Sequence, residues 1–435
     1  MIHTFELSKM ITSDMFENVR QQLSWDYYKK GFFLTMRYAD YGFSAIRLYK
    51  FRNDRYEEEK LRYKSQSNEY IYLYMLTITV NVGLMFGTNS YYANDILSFT
   101  PDFVKALYSK IYDFFPYLER GQEFRINKYE LWQDVNAFKL RRIDFTFDLR
   151  ANADQYLSLI NKGYAVRRKT YQRTYFGNDA TISEEQKDNE PDIPDVEDCI
   201  QEMSGEAYKP DVDYIYYKGK SLNINVYNKA EQLKREQQQV ENMDDYDFLR
   251  VEVQVKKPKL NVMVQKFGLK GRELQYLAIP KIEEYVLNSY IKALTGVGLY
   301  VTQQQACEII DGSEYTKKKK QRLKAVIEAV ADNNGIANLL EQIDNGQITD
   351  LGKMSTVRTY LREIQNMGIN PVTITDNMNI PDTDATAVTN GNVVGKLTAL
   401  PNLLDVLKAY KEQIENDQQH GMTYMEEDLA RIDKL

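Results

Sequence analysis

Three carboxylates on predicted β-strands are the residues of this sequence best suited to binding a metal ion. Asp144 and Asp148 lie in KLRRIDFTFDLRAN (139–152), and Glu252 lies in FLRVEVQVKK (248–257). Apolar and polar residues alternate in both segments, which predicts strands with one polar face. Asp144 and Asp148 would stand about 13 Å apart on one strand, too far for both to bind one ion. We therefore expect Asp144 and Glu252 to bind Mg²⁺ or Mn²⁺ through carboxylate oxygens, with Asp148 as a further candidate ligand.

The same pattern also has a purely structural explanation. Polar residues alternate on any strand that has one face towards solvent. Asp144 and Glu252 each follow an arginine two positions earlier, Arg142 and Arg250, so ion pairs between strands would equally account for the acids. From spacing alone, both explanations stay open.

Several common catalytic motifs are missing from the sequence. There is no G-x-x-x-x-G-K-[ST] loop and no G-x-S-x-G turn, so neither a P-loop ATPase nor an α/β-hydrolase is expected. The two histidines, His3 and His420, stand near opposite ends of the sequence, which disfavours a site built on several histidines. The two cysteines, Cys199 and Cys307, are too few for a cysteine zinc cluster or a disulfide framework. Low cysteine usage and an N-terminus unlike a signal peptide predict a cytoplasmic protein.

The elements that must position these residues predict an α+β chain. Residues 214–232 predict a β-hairpin around Lys218-Gly219-Lys220, with Asn225, Tyr227 and Lys229 on one face of its second strand. The uncharged stretch at 71–94 is rich in β-branched and aromatic residues and contains Thr, Asn and Gly, so it predicts buried strands rather than a membrane span. After residue 258, helical periodicity dominates.

Composition divides the 435 residues into four segments. These are an N-terminal α+β part (1–134), a core (135–260), a helical part (261–375), and a linker with a terminal helix (376–435). The core contains an acidic insertion at 179–213, whose 13 acids and two lysines give a charge of −11 and predict disorder. The chain as a whole carries −7, so the remaining residues carry +4, a balance compatible with a nucleic-acid partner.

Two basic features predict contacts with DNA. One is a run of four lysines, Lys317, Lys318, Lys319 and Lys320, which would contact phosphate. The other is STVRTYLREIQNMGINPVTI (355–374), which suits the recognition element of a helix-turn-helix and would present Arg358 and Arg362. The structural alternatives are a solvated helix face for the lysines and an ordinary amphipathic helix with Val357, Leu361 and Ile364 turned inward.

Three segments, KLRRIDFTFDL, YIYYKGKSLNINVYNKAEQL and FLRVEVQVKKPKL, follow one another in this order. They resemble the rolling-circle replication initiators of small plasmids, the Rep_trans family of nicking proteins, and are similar in order and spacing to the gene-two-type replication proteins of filamentous phages. Members carry an R-[LI]-D-x-x-x-D strand, a Y-[FY]-G-x-x-x-S turn before a strand ending in Y-[ND]-K, and an R-x-E strand. The resemblance covers residues 135–260. It implies an antiparallel, relaxase-like catalytic sheet followed by a mainly helical C-terminal domain.

The resemblance also implies a reaction. A tyrosine hydroxyl attacks a DNA phosphodiester at a replication origin, forms a 5′-phosphotyrosine link and frees a 3′-OH. The family's tyrosine stands two residues before a glycine, which selects Tyr217, whereas counting back from Tyr-Asn-Lys favours Tyr214 or Tyr216. Tyr217 and Tyr216 are therefore the nucleophile candidates, and Lys229 is expected to hold the phosphate. The usual relatives carry a histidine-rich metal motif that this chain lacks, so the carboxylates named above would replace it.

The implied partner is origin DNA, both single-stranded and supercoiled, with a host helicase or polymerase as further partners and no membrane. Two other functions remain open. One is a non-catalytic origin-binding protein that kept the fold and lost the chemistry. The other is a conjugative relaxase, in which the same reaction serves DNA transfer.

Overall fold

A computed structural model describes the chain over residues 2–23, 27–29, 32–52, 72–86, 101–116, 118, 124–125, 132–133, 138–149, 153–163, 172–175, 214–235, 249–375, 386–389, 392–396, 399–409 and 412. The acidic insertion at 179–213, which the sequence predicts to be disordered, lies outside these residues. The described part contains helices, a large antiparallel sheet and three two-stranded sheets, which confirms the α+β prediction at that level.

Among the described residues, strands with intervening helices extend up to residue 256, and helices predominate from residue 257 onwards. The strands are β1 (Ile2–Ile11), β2 (Tyr27–Lys29), β3 (Phe32–Thr35), β4 (Phe43–Arg52), β5 (Tyr72–Asn81), β6 (Phe124–Arg125), β7 (Trp132–Gln133), β8 (Lys139–Leu149), β9 (Gln172–Tyr175), β10 (Tyr214–Lys218), β11 (Leu222–Asn228), β12 (Leu249–Lys256), β13 (Tyr300–Val301), β14 (Thr386–Thr389), β15 (Asn392–Lys396) and β16 (Ala399–Leu400). The helices are α1 (Ser13–Gln22), α2 (Val82–Met85), α3 (Pro101–Phe114), α4 (Ala153–Lys162), α5 (Lys229–Arg235), α6 (Lys257–Lys266), α7 (Leu274–Leu277), α8 (Pro280–Thr295), α9 (Gln303–Gly312), α10 (Lys317–Asp332), α11 (Ile336–Asp344), α12 (Met354–Asn366) and α13 (403–409).

The described residues fall into two compact units. The first unit takes those up to residue 146 and those from 254 to 284, and the second takes those from 147 to 253 and from 285 to 412. The predicted core at 135–260 therefore contributes residues to both units. The reason is that the boundaries between the units fall inside strands β8 and β12. The predicted segments were divided where composition changes, and composition does not change within these strands.

The first unit is built on an antiparallel arrangement of β2-β3-β4-β5-β1 followed by the beginning of β8. Alternation along the strands buries Phe5 and Leu7 of β1 and Ile78 of β5. The intervening Glu6 lies on the other face, where its carboxylate accepts a hydrogen bond of 3.1 Å from Arg47. Strand β5 occupies residues 72–81 of the uncharged stretch at 71–94, so the prediction of a buried strand is confirmed for that part, and the short helix α2 follows it. Among the described helices, none is long and apolar enough to cross a bilayer.

Helix α1 covers part of the apolar face of the first unit. The helix begins after Thr12, whose hydroxyl accepts a hydrogen bond of 3.1 Å from the backbone N–H of Met15 and so caps the first turn. Phe16 and Val19 are buried one turn apart, and the ring of Phe16 lies 4.9 Å from that of Tyr74 on β5. The spacing of these apolar positions is what packs the helix against the strand.

The second unit contains the predicted hairpin. Strands β10 and β11 pair antiparallel, and the turn between them includes Gly219, whose N–H donates to Asn223 Oδ1 at 3.3 Å. The strand order in this unit is the end of β8, then β12, β11, β10 and β9. Ile215, Ile224 and Val251 are buried on one face, and helix α4 packs on β11. The opposite face carries the polar side chains described below.

Helices α9 to α12 form a cluster in the second unit, in which α10 packs against α9, α11 and α12. Beyond them the structure differs from the linker predicted at 376–396. Strands β14 and β15 pair antiparallel, with Val388 opposite Val393. The sequence TAVTNGNVV places Asn390-Gly391 between two β-branched runs, a strong hairpin signal that composition alone hides.

Candidate active site

One face of the β10–β11 hairpin carries polar and aromatic side chains. In the strand register, Tyr214 lies opposite Tyr227 and Tyr216 lies opposite Asn225. Successive side chains on a strand point to opposite faces, so these four residues share one face of the hairpin. We call this surface the polar face of the second unit.

Glu252 on β12 joins the polar face through two buried hydrogen bonds. The Tyr227 hydroxyl donates to Glu252 Oε1 at 2.9 Å, and Asn225 Nδ2 donates to Glu252 Oε2 at 3.2 Å. All three side chains are buried. The contacts confirm that Asn225 and Tyr227 lie on one face and that Glu252 points to the same side of the sheet.

Arg250, two residues before Glu252, forms a bidentate ion pair with Asp148 at the end of β8. Arg250 Nε lies 2.7 Å from Asp148 Oδ1, and Arg250 Nη2 lies 2.7 Å from Asp148 Oδ2. The arginine side chain has 0% of its surface exposed. Burial by itself lowers the pKa of Arg250, but the charge and hydrogen bonds of Asp148 outweigh burial and raise it. The ion pair between strands that the sequence allowed is therefore confirmed for Arg250.

The tyrosine rings of the polar face lie close to one another. The rings of Tyr214 and Tyr227 are stacked with centroids 5.3 Å apart, and the centroids of Tyr214 and Tyr216 are 6.4 Å apart. Burial, followed by the negative charge of Glu252, raises the pKa of Tyr227 well above its usual value. The same two causes raise the pKa of Tyr214. At neutral pH both phenols thus keep their protons, and Tyr227 acts as a hydrogen-bond donor.

The two predicted nucleophiles lie on opposite sides of strand β10. Tyr217 has 2% of its surface exposed and lies opposite Ile224 in the register, on the apolar face. Tyr216 is partly exposed and shares the polar face with Asn225. Of the two candidates, only Tyr216 is on the side of the sheet where Glu252 and its partners lie.

Lys229, the predicted phosphate contact, is the first residue of α5. Its side chain is largely buried, with 8% exposed. Its Nζ donates to Gln232 Oε1 at 2.7 Å and lies 6.0 Å from the ring centroid of Tyr227. The lysine therefore lies beside the polar face, and its role towards phosphate stays a prediction.

The carboxylates predicted to hold Mg²⁺ or Mn²⁺ are engaged by protein partners. Asp148 is paired with Arg250, and Glu252 is bonded to Tyr227 and Asn225, as described above. Asp144, in the first unit, forms an ion pair with its neighbour Arg142, in which Nε lies 3.0 Å from Oδ1. Within the described part of the chain, no group of three or more acidic, histidine or cysteine side chains is placed to hold a metal ion. In this structure each candidate ligand is thus engaged by a protein partner, and the divalent ion stays a prediction.

Compared with models of known protein families and with curated proteins, the chain matches none. What the site does chemically therefore has to be argued from its side chains. Its distinguishing feature is a set of buried, hydrogen-bonded polar groups on one sheet face, with the partly exposed Tyr216 beside them.

Sequence reasoning missed the parts played by Arg250, Asn225 and Tyr227. The alternation in β11 and β12 placed all three on polar faces, but it assigned no contacts to them. A signal for Arg250 was present in the arginine two positions before Glu252, although spacing within one strand does not reveal which acid the arginine binds.

The predicted DNA-binding residues lie on helices α10 and α12. Lys317 and Lys318 are exposed, whereas Lys319 Nζ lies 2.6 Å from Glu363 Oε2 and Lys320 Nζ donates to the carbonyl of Asp311 at 2.7 Å. Arg358 and Arg362 are exposed on α12, while Val357, Leu361 and Ile364 are buried. The amphipathic interpretation of α12 is thus confirmed, and contact with DNA stays a prediction.

We expect the substitution Tyr227→Phe to lower the free energy of unfolding by about 1–3 kcal/mol, because the buried Glu252 loses its hydroxyl donor. Chemical unfolding monitored by circular dichroism measures the change. Tyr41→Phe is the matched control: Tyr41 has 61% of its surface exposed, so losing its hydroxyl should change stability by less than about 0.5 kcal/mol. If the two substitutions lower the free energy of unfolding by the same amount, the Tyr227–Glu252 hydrogen bond contributes nothing to stability.

Proposed function

We propose that this protein nicks and rejoins one strand of DNA at a replication origin through a covalent bond to Tyr216. The observation that carries the proposal is the position of Tyr216 on the polar face, beside the buried network of Glu252, Tyr227 and Asn225. The three ordered sequence segments that resemble rolling-circle initiators supply its chemistry. In this proposal the polar face is a relaxase-like site.

The proposed step is a transesterification at phosphorus. The Tyr216 oxygen forms a bond to phosphorus while the bond from phosphorus to the 3′ oxygen of DNA breaks, and the phenol proton is transferred to that 3′ oxygen. One ester bond replaces another, so rejoining is the reverse step and needs no ATP, in keeping with a sequence that has no P-loop.

The surroundings of Tyr216 suit a nucleophile that must be held rigidly. It lies within a strand that is paired on both sides, with β9 and with β11. Further along the same sheet, the Arg250–Asp148 pair links β12 to the end of β8. A strand fixes a side chain more closely than a loop does, which favours attack from one geometry. Lys220, exposed in the hairpin turn, and Lys229 would supply positive charge for the phosphate.

The direct test is incubation of the full chain with supercoiled origin DNA and Mg²⁺ or Mn²⁺, with a chelator as the parallel control. We expect open-circular and relaxed products, and an adduct between protein and DNA that survives denaturation and yields a Tyr216 peptide bearing a nucleotide. Loss of product with the chelator would support the predicted divalent ion. Nicked DNA without an adduct would instead indicate hydrolysis and would contradict the proposal.

A second candidate is a non-catalytic origin-binding protein, and the raised pKa values of Tyr214 and Tyr227 favour it. Burial and the charge of Glu252 oppose formation of a phenolate at Tyr214 and at Tyr227, which share the polar face with Tyr216. On this alternative, the network of the face only stabilises the sheet. The same assay separates the two functions, because a binding protein leaves supercoiled DNA intact at every metal concentration.

A further inference from the structure

We propose that helix α12 is a recognition helix that reads duplex DNA in the major groove. Its outward residues are all polar or basic, namely Ser355, Arg358, Thr359, Arg362 and Asn366, and we call them the α12 stripe. The proposal concerns a different surface from the polar face that carries Tyr216. It extends the proposed function by naming duplex DNA as the partner of this surface, and its test does not require nicking.

The α12 stripe is the exposed side of an amphipathic helix whose apolar side is buried. Val357, Leu361 and Ile364 are buried at helical spacing, together with Tyr360. The helix contains a single acid, Glu363, and that acid is paired with Lys319 of α10. Arg358 and Arg362 are both exposed, so the stripe presents two positive charges and has no acidic residue of its own.

Contacts on one side and at its end hold α12 in place. Arg322 Nη1 of α10 donates to the Tyr360 hydroxyl at 3.0 Å, and Lys319 Nζ lies 4.7 Å from the centroid of the Tyr360 ring. Just beyond the helix, the backbone N–H of Leu299 donates to the carbonyl of Gly368 at 2.9 Å. A helix fixed in this way presents its exposed side chains in a constant geometry, as reading of base edges requires.

The basic residues of α10 make different contacts. Lys319 and Arg322 contact Glu363 and Tyr360 of α12. Lys320 Nζ donates to the carbonyl of Asp311, and Lys324 Nζ donates to the Asp311 carboxylate at 2.9 Å. Lys317 and Lys318 are exposed and remain available for phosphate. This difference predicts that the lysine run contributes general affinity for DNA and that the α12 stripe contributes sequence preference.

The composition of the stripe selects duplex DNA among macromolecular partners. Arginine pairs with two acceptors on guanine, asparagine pairs with adenine, and serine and threonine bond either base in the major groove, which is wide enough for a helix. The major groove of duplex RNA is too deep and narrow for a helix to enter and read the bases. The core of an interface with another protein is depleted in charged residues and enriched in aromatic ones, whereas the stripe contains two arginines and no aromatic or aliphatic side chain.

The test selects preferred sites from a pool of random duplex DNA with the full chain and then measures affinity for the selected duplex. We expect a defined consensus. Arg358→Ala and Arg362→Ala should each weaken binding to that duplex by about 10- to 100-fold, and each should relax the preference at one base pair. Arg20→Ala, which removes one exposed positive charge from α1 in the first unit, is the control and should leave affinity and preference unchanged.

Three results would overturn the proposal. The first is a pool that yields no consensus. The second is an equal loss for selected and random duplexes in the arginine variants, which would reduce the stripe to a phosphate contact. The third is tighter binding to single strands or RNA than to the duplex. Because Tyr216→Phe leaves the α12 stripe intact, binding by that variant shows whether the two proposals stand or fall separately.

Discussion

Replacing Tyr216 by phenylalanine is expected to reduce DNA nicking by on the order of 10⁴-fold or more, while binding to origin DNA persists. The substitution removes only the hydroxyl that would attack phosphorus and keeps the ring beside Tyr214. Tyr216 is partly exposed, so the folded state should survive. Conversion of supercoiled DNA to open circles gives the rate, and a gel-shift assay gives the affinity.

The matched control for this prediction is Tyr217→Phe, on the next residue of the same strand. Tyr217 is buried on the apolar face, so removing its hydroxyl should leave nicking within a few-fold of the wild type. The opposite result, with nicking lost in the Tyr217 variant and kept in the Tyr216 variant, would mean that the glycine spacing of the family pattern identifies the nucleophile. Covalent adducts from both single variants and from the double variant would place the nucleophile elsewhere in the chain.

The two tyrosines illustrate what the sequence can and cannot predict about this hairpin. The hairpin and its turn were predictable, because strand-like segments flank Lys218-Gly219-Lys220. The face on which each tyrosine lies was not, because a shift of one residue in the alignment to a family pattern moves the side chain to the other face of the sheet. The backbone register places Tyr216 opposite Asn225 on the polar face and Tyr217 opposite Ile224 on the apolar face, and the nucleophile itself stays a prediction.

The partner of Arg250 was unpredictable for a related reason. Alternation within β12 put Arg250 and Glu252 on one face, as the structure confirms through their contacts. Which acid the arginine binds depends on the strand that lies next to β12 and on its register, and Asp148 is 102 residues away in sequence. The division into two units was hidden in the same way, because it follows contacts between distant strands rather than changes in composition.

We expect Arg250→Met to lower the free energy of unfolding by about 3–5 kcal/mol, since it leaves the Asp148 carboxylate without its buried partner. Urea unfolding, monitored by circular dichroism, measures the loss. Arg20→Ala serves as the control, because its ion pair with Glu17 is solvent-exposed and should contribute about 0–1 kcal/mol. A loss for Arg250→Met no larger than that of the control would show that water or another group replaces the arginine.

The double variant Asp148→Leu with Arg250→Met decides why this pair is present on the polar face. Replacing both charges by apolar groups of similar size removes the desolvation cost together with the attraction, so its stability should recover most of the loss of Arg250→Met. If the double variant is nevertheless inactive in nicking, the pair serves to position the strand that carries Glu252 rather than to stabilise the fold. If the double variant is as unstable as the single one, the loss comes from packing around the long arginine side chain, and the charge itself matters little.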